Sequence, residues 1–180
     1  MSASLNSVEH RSDGTSVLCV KYRNIAYPCF IDTADYPLIE KYHWQATKFP
    51  KSRTMYATTS VGEQTVYMHR ILIAGVEKVD HRDLNGLNNC RSNLRRATQS
   101  QQMANTGKRS LRRGMNPTSK YKGVHWDKQR VTFRAVIHLL GKTVYLGRFD
   151  SEIEAARVYN EAAKKHFGEF ARLNALPEAA

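Results

Sequence analysis

Acidic residues are scarce in this chain: 16 Asp and Glu stand against 28 Lys and Arg, which leaves a formal net charge of +12 over 180 residues and a pI near 9.8. A surface so short of one sign favours a polyanionic partner, and nucleic acid is the first candidate. Long apolar runs are missing too. No stretch reaches the roughly 18 residues that a membrane-spanning helix needs, and no basic amphipathic helix stands out for a membrane surface. The opening "MSASLNSVEHRSDG" carries no charged start followed by an apolar core and a cleavage pattern, so a cytoplasmic protein is expected. Cysteine is sparse and odd in number. Cys19, Cys29 and Cys90 lie far apart, which argues against a disulfide framework or a CxxC zinc knuckle and leaves isolated thiols.

What is present falls into two halves, and the length allows one domain or two small ones. Residues 1–14 read as disordered. "SVLCVKY" and "IAYPCFID" read as strands from their β-branched and aromatic content, and "TADYPLIEKYHW" as a short helix capped by Thr33 or Asp35, with Tyr36, Leu38, Ile39 and Tyr42 on its apolar face. His43 and Trp44 read as core or strand-end residues. "TMYATTSV" and "QTVYMHRIL" flank "GE" at hairpin spacing, which makes this half α+β.

From Thr106 to Lys122 the chain carries six basic residues and no acid, the composition of a linker that can also track phosphates. Three strand candidates follow: "YKGVHW", "VTFRAVIHL" and "KTVYLGRF". In the second, Phe133, Ala135 and Ile137 alternate with Arg134, Val136 and His138. "SEIEAARVYNEAAKKHFG" is a helix with a Ser151/Glu154 capping box and a Gly168 stop, whose stripe of Ile153, Ala156, Tyr159, Ala163 and Phe167 packs on the Phe133 face. Covering one face leaves Arg134 and His138 exposed on the other, beside Tyr145. Lys122, His125, Trp126 and Arg130 are expected on or beside that surface, with Arg109, Arg112 and Arg113 on the linker. Such a mixture of cations and aromatics suits a nucleic-acid groove.

The chemistry concentrates in "VDHRDLNGLNNCRSNLRRATQSQQMAN", residues 79–105. "KVDH" reads as a strand ending on Asp80 and His81, "NLRRA" as its return strand, and Thr98 with Gln101 as a capping box that opens a helix. Phosphodiester cleavage needs a cation to neutralise phosphate and leaving oxygen, a base to activate water, and a group that positions the base. Asp80 offers a hard carboxylate oxygen and Gln102 an amide oxygen for magnesium or manganese. His81 suits the base, and Asn93 is placed to hydrogen-bond either the loop or the imidazole.

In this arrangement Asp80-His81, the "LNGLNN" loop, "SNLR" and the "TQSQQMAN" helix resemble the HNH, or ββα-metal, nuclease motif, and "VYMHRILIAG" resembles the segment leading into it, a match from Thr65 to Asn105. Residues Ser119 to Asn174 are similar to the Apetala-two/ERF DNA-binding domain, and "FIDTADYPLIEKYHW" resembles the amino-terminal part of homing endonucleases that join the two modules. The resemblance implies an HNH ββα-metal module followed by a three-stranded antiparallel sheet with one packed helix. His81 and Asn93 would be catalytic and Asp80 and Gln102 the metal ligands. His69 also belongs to the HNH pattern, in a structural or phosphate-contacting role. Gln102 departs from the Asn or His usual at that helix position. Lys122, His125 and Tyr145 stand where plant readers carry Arg, Arg and Trp.

The expected organisation is residues 15–105 as the nuclease region, with its core at 65–105, then a linker at 106–118, a reader at 119–174 and a tail at 175–180. The expected function is metal-dependent, site-preferring cleavage of duplex DNA by a homing-type enzyme, by nicking, with no membrane and no obligate protein partner. A DNA-binding protein derived from such a nuclease but lacking turnover is the alternative, motivated by Gln102. An RNA-binding module is weaker, because the sheet lacks the aromatic pattern that stacks single strands.

Overall fold

Alternation of buried and exposed side chains builds the amino-terminal half from hairpins. The computed structural model describes residues 6–50, 52, 54–76, 78–108 and 118–177. Strands β1 (Val8–His10), β2 (Thr15–Tyr22) and β3 (Ile25–Asp32) form one antiparallel sheet that buries Leu18, Val20, Cys29 and Ile31 on a single face. Arg23 and Asn24, both at positive φ, make the tight β2–β3 turn whose twist matches its strands. Within the stretch expected to be disordered, residues 8–10 are instead ordered as β1, which pairs with β2 in the register Val8↔Leu18 and satisfies what would otherwise be an open strand edge; residues 1–5 lie outside the described residues.

After β3 the chain makes a 3-10 turn at Thr33–Asp35 and a single-turn helix, α1 (Tyr36–Ile39), shorter than the sequence suggests. No side chain caps either element; Asp35 is instead gripped by Arg91. Trp44 is buried, with its indole N–H donated to the Ile39 carbonyl at 2.9 Å, whereas His43 is exposed. A second sheet has the order β4 (Gln45–Thr47), β5 (Tyr56–Val61) and β6 (Gln64–Tyr67), with Gly62 and Glu63 at the expected hairpin turn. The strand expected to continue through "MHRIL" stops there. α2 (Met68–Leu72) replaces it, because Met68, His69 and Leu72 all become buried when the segment coils. β7 (Val79–His81) and β8 (Leu94–Arg96) then pair antiparallel.

Two compact units divide the chain, residues 1–97 and 98–180. Helix α3 (Gln99–Asn105), expected to close the first domain, groups with the second unit. Its start is as the sequence indicates: Thr98 Oγ1 accepts from the Gln101 amide and the Gln101 side chain accepts from Thr98 N. Lys108, expected within the basic linker at 106–118, donates its ammonium to the carbonyls of Tyr121 and Val124.

β9 (Val124–Asp127), β10 (Thr132–Leu139) and β11 (Lys142–Phe149) form the antiparallel sheet β9-β10-β11, and α4 (Glu152–Phe167) covers one face of it. Ala155, Ala156, Tyr159 and Ala163 pack against Val124, Ala135 and Ile137. Ile153, expected in that stripe, is 36% exposed. Position 153 lies in the first turn, just before the buried arc opens at Ala155. Ser151 Oγ accepts from the Glu154 amide at the helix start, and Gly168, at φ 52, ends it.

A bulge in β11 decides what the open face displays. The register runs Arg134↔Arg148 and Ala135↔Gly147, then jumps to Val136↔Tyr145. Tyr145 and Arg148, three residues apart, would point to opposite faces of a regular strand; the extra residue returns both to the face of Arg134. Arg148 consequently sits 5.5 Å above the Tyr145 ring. Gly147 makes the bulge possible. Its φ is 139, and a Cβ there would meet the Phe149 ring at 2.9 Å. Gly147→Ala is therefore expected to destabilise the second unit by about 1–3 kcal/mol, read as a lower midpoint in urea unfolding.

Candidate active site and nucleic-acid interface

β7 ends on Asp80 and His81, and the register sends their side chains to opposite faces of the β7–β8 ribbon, Asp80 opposite Arg95 and His81 opposite Leu94. Asp80 is buried in an ion pair with Arg95, whose Nε and Nη2 lie 2.9 and 2.8 Å from Oδ2, the two side chains being 8% and 7% exposed. Removing two charges from water is costly, so each holds the other in place. The sequence offered no way to select Arg95 from the "NLRRA" pair without the register.

His81 turns into a ring cluster. Its imidazole stands edge-on to His69 at 5.1 Å and to Tyr56 at 5.9 Å, and Tyr67 lies 5.3 Å from His69. Its Nε2 is 3.3 Å from Asn89 Oδ1. Burial lowers the His81 pKa, and the Asn89 contact and the charges of Asp83 and Asp80 oppose that shift. His69 is 7% exposed and its Nδ1 has no hydrogen-bond partner among the described residues. Burial, then the proximity of His81 and Arg70, pushes its pKa down to about 3.

The loop between β7 and β8 holds these side chains in place. Asn93 spends its amide on that loop: Oδ1 accepts from the Asp83 N–H at 3.0 Å, and Nδ2 donates to Asp83 Oδ1 at 2.9 Å and to the Asn88 carbonyl at 2.8 Å. Of the two roles open to it from sequence, loop closure is the one these bonds show, and the residue on the imidazole is Asn89, which sequence reasoning passed over. Leu87 and Asn89 also bond to the Phe30 main chain, where Asn88 makes a parallel bridge to β3. Gly86 lets the loop pass close to Tyr56: its N–H donates to Thr54 Oγ1, and a Cβ would come within 2.6 Å of the Tyr56 ring.

Asp80, His81 and Asn93 thus belong to the first unit, while Gln102 sits half-buried on α3 in the second. Among the described residues no group of three or more His, Cys, Asp or Glu side chains could hold a metal ion. Asp80 is a hard carboxylate of the kind magnesium takes, with one oxygen already committed to Arg95. A cation beside Asp80 would have to draw most of its ligands from phosphate and water.

In the second unit, Arg134 pairs with His125 on one side and Arg148 on the other, which lines the three up across the face away from α4. Arg134, His138, Tyr145 and Arg148 are exposed there, and Arg130 is exposed on the β9–β10 turn. Arg148 was missed because the bulge is invisible in the alternation. Burial, then Lys108, Arg134 and His138, lowers the His125 pKa, so it contributes no cation near neutral pH. Two expectations are corrected. Trp126 pairs with Phe133 at 4.7 Å on the helix side, as the neighbour of His125 must. Lys122 turns its ammonium onto the carbonyls of Ala104 and Thr106, bracing the end of α3. Arg109, Arg112 and Arg113 lie outside the described residues.

Two stability measurements check this geometry. Arg95→Ala removes the buried cation that pairs with the Asp80 carboxylate and is expected to cost about 3–5 kcal/mol, read by urea denaturation. His69 supplies a pH dependence. Below its ordinary value of 6.5 the unfolded chain binds a proton that the folded chain refuses until about pH 3. Stability therefore rises with pH across that window and is lost on acidification, by up to about 1.4 kcal/mol per pH unit from this one group. His69→Phe should flatten that slope in unfolding curves taken across the window.

No family model matches the sequence, and no solved structure matches it. The chain is similar to a protein of Acanthamoeba polyphaga mimivirus named as an uncharacterized HNH endonuclease, at 29% identity over 155 residues that cover 82% of this chain and 74% of that protein. The similarity supports an HNH nuclease at the level of family, on a mixed α+β fold of small antiparallel sheets and few helices.

Proposed function

We propose that this chain is a metal-dependent DNA endonuclease of the HNH type, with His81 as its base. The observation that carries the reading is the end of β7. There a buried imidazole is held at one nitrogen by Asn89, and the carboxylate of Asp80 precedes it in sequence; Asn93 closes the loop that follows. His81 with a lowered pKa is neutral at neutral pH and able to take a proton from water. Asp80 would hold a magnesium or manganese ion, which would supply neutralisation of the phosphate and of the departing 3′ oxygen, and Gln102 stands at the helix position where the resemblance implies a second ligand. Asn93 keeps the loop shut, so the imidazole keeps its direction while substrate comes and goes. The unpartnered Nδ1 of His69 is a polar atom that a phosphate oxygen or water would satisfy.

Duplex DNA is the substrate that the rest of the chain suits. Residues 119–174, whose sequence resembles an Apetala-two/ERF reader, carry Arg134, Arg148, His138 and Tyr145 on the open face of their sheet, and Arg can pair with guanine edges at about 1–3 kcal/mol per good contact. The reading is of a homing-type enzyme that nicks one strand as a monomer. A second reading, DNA binding without turnover, is favoured by the engagement of Asp80 with Arg95 and by the longer Gln102 side chain.

Supercoiled plasmid with magnesium or manganese separates the two. Conversion to the nicked form is expected, with loss of at least about a hundredfold in rate for His81→Ala and complete loss in chelator. Cutting that survives both treatments would remove His81 and the metal from the mechanism. An inert natural chain that gains cutting on Gln102→Asn would establish the second reading.

A further inference from the structure

We propose that Met68, Cys29 and Asn89 form a directional hydrogen-bond chain that places the His81 proton on Nε2, leaving Nδ1 as the atom that accepts a proton from water. Four side chains make the chain, all buried in the first unit: Met68 Sδ lies 3.8 Å from Cys29 Sγ, Cys29 Sγ lies 3.4 Å from Asn89 Nδ2, and Asn89 Oδ1 lies 3.3 Å from His81 Nε2.

Its direction follows from what each atom can do. A thioether accepts and cannot donate, so the Cys29 S–H points to Met68. That thiol keeps its proton, because burial pushes its pKa up to about 12. Having given its one hydrogen to Met68, Cys29 can only accept from Asn89, which must present an N–H. The Asn89 carbonyl oxygen then faces His81. A carbonyl only accepts, so Nε2 must be the nitrogen that carries hydrogen, and a neutral imidazole has just one. Turned over, the amide would offer Nε2 a donor and leave the Met68 sulfur without one. The orientation of the amide is set by the donors and acceptors on either side of it. Asn89 is fully buried, and its main-chain N–H donates to the Phe30 carbonyl at 2.7 Å.

Asn89 is in this account a positioning residue: it touches the base and not the substrate. The catalytic consequence rests on the nuclease reading above, whereas the tautomer is a property of the folded chain alone. The experiment uses both levels. Full-length protein labelled with 15N-histidine is examined by long-range 1H–15N NMR above the ordinary histidine range, with His81 assigned from the His81→Gln spectrum. The natural chain should show Nε2 protonated and Nδ1 bare. Asn89→Leu removes the acceptor and should give a mixture of tautomers; Asn89→Asp keeps an acceptor oxygen and should restore Nε2–H. Met68→Leu conserves volume and should also loosen the preference towards a mixture.

In plasmid cutting, Asn89→Leu should lower kcat by about tenfold or more with KM little changed, partly recovered in Asn89→Asp. A natural chain with the proton on Nδ1 would overturn the proposal, and that spectrum decides even if Asn89→Leu fails to fold. An unchanged tautomer in a folded Asn89→Leu would overturn the role of Asn89, and the same result in Met68→Leu that of Met68. Nε2–H in a chain that cuts no plasmid would uphold the tautomer while ending the nuclease reading.

Discussion

Closure of the loop between β7 and β8 by a single amide is the constraint on which the site depends. Asn93 reaches back across the loop to Asp83 and Asn88, and the Arg82 N–H donates to the Asn93 carbonyl, so the two ends of the loop are fastened at one residue. Its middle is fastened to something rigid. Leu87 and Asn89 bond to Phe30 in β3, a strand whose neighbouring Cys29 and Ile31 are part of the core. A loop tied at both ends and at its middle cannot drift, and the groups it carries inherit the precision of the sheet. Asn89 is the beneficiary: a loop residue by chain position, it is as buried as any core side chain.

This economy explains how the candidate site can be assembled from so few residues of its own. The core of the first unit supplies the thiol and thioether behind Asn89, α2 supplies His69, and β5 and β6 supply the tyrosines around the imidazoles. Packing and the proposed chemistry share the same side chains. A change meant to alter one will register in the other, which is why measurements of stability and of tautomer are both needed to read a variant.

Sequence made much of this legible where the physics is local. The strand ending in "DH", its return strand, the Thr98/Gln101 box and the hairpin at Gly62 all depend on residues within a few positions of each other. What stayed hidden depends on partners far along the chain. Arg95 and Arg96 are indistinguishable until register puts one opposite Asp80, and Asn89 sits in a run of asparagines whose members differ only in what β3 offers them. The switch of "MHRIL" from strand to helix, with His69 turned inward, follows from burial of Met68 and Leu72, a tertiary effect that overrides strand propensity. In the sheet of the second unit the alternation in β10 was readable and Arg134 and His138 are exposed as it indicates. Trp126 was not, because its face is set by pairing with Phe133.

The ammonium groups of Lys108 and Lys122 carry a lesson about counting. Both are spent on main-chain carbonyls of their own unit, where they tie the start of the basic segment and the end of α3 to β9 and the turn before it. Their charge still adds to the long-range field that draws a polyanion in, but neither is at liberty to displace a counterion from a phosphate. In association with a polyanion the formal excess of positive charge would therefore overstate the number of ions released, and the approach would be steered by more of the molecule than finally grips the partner.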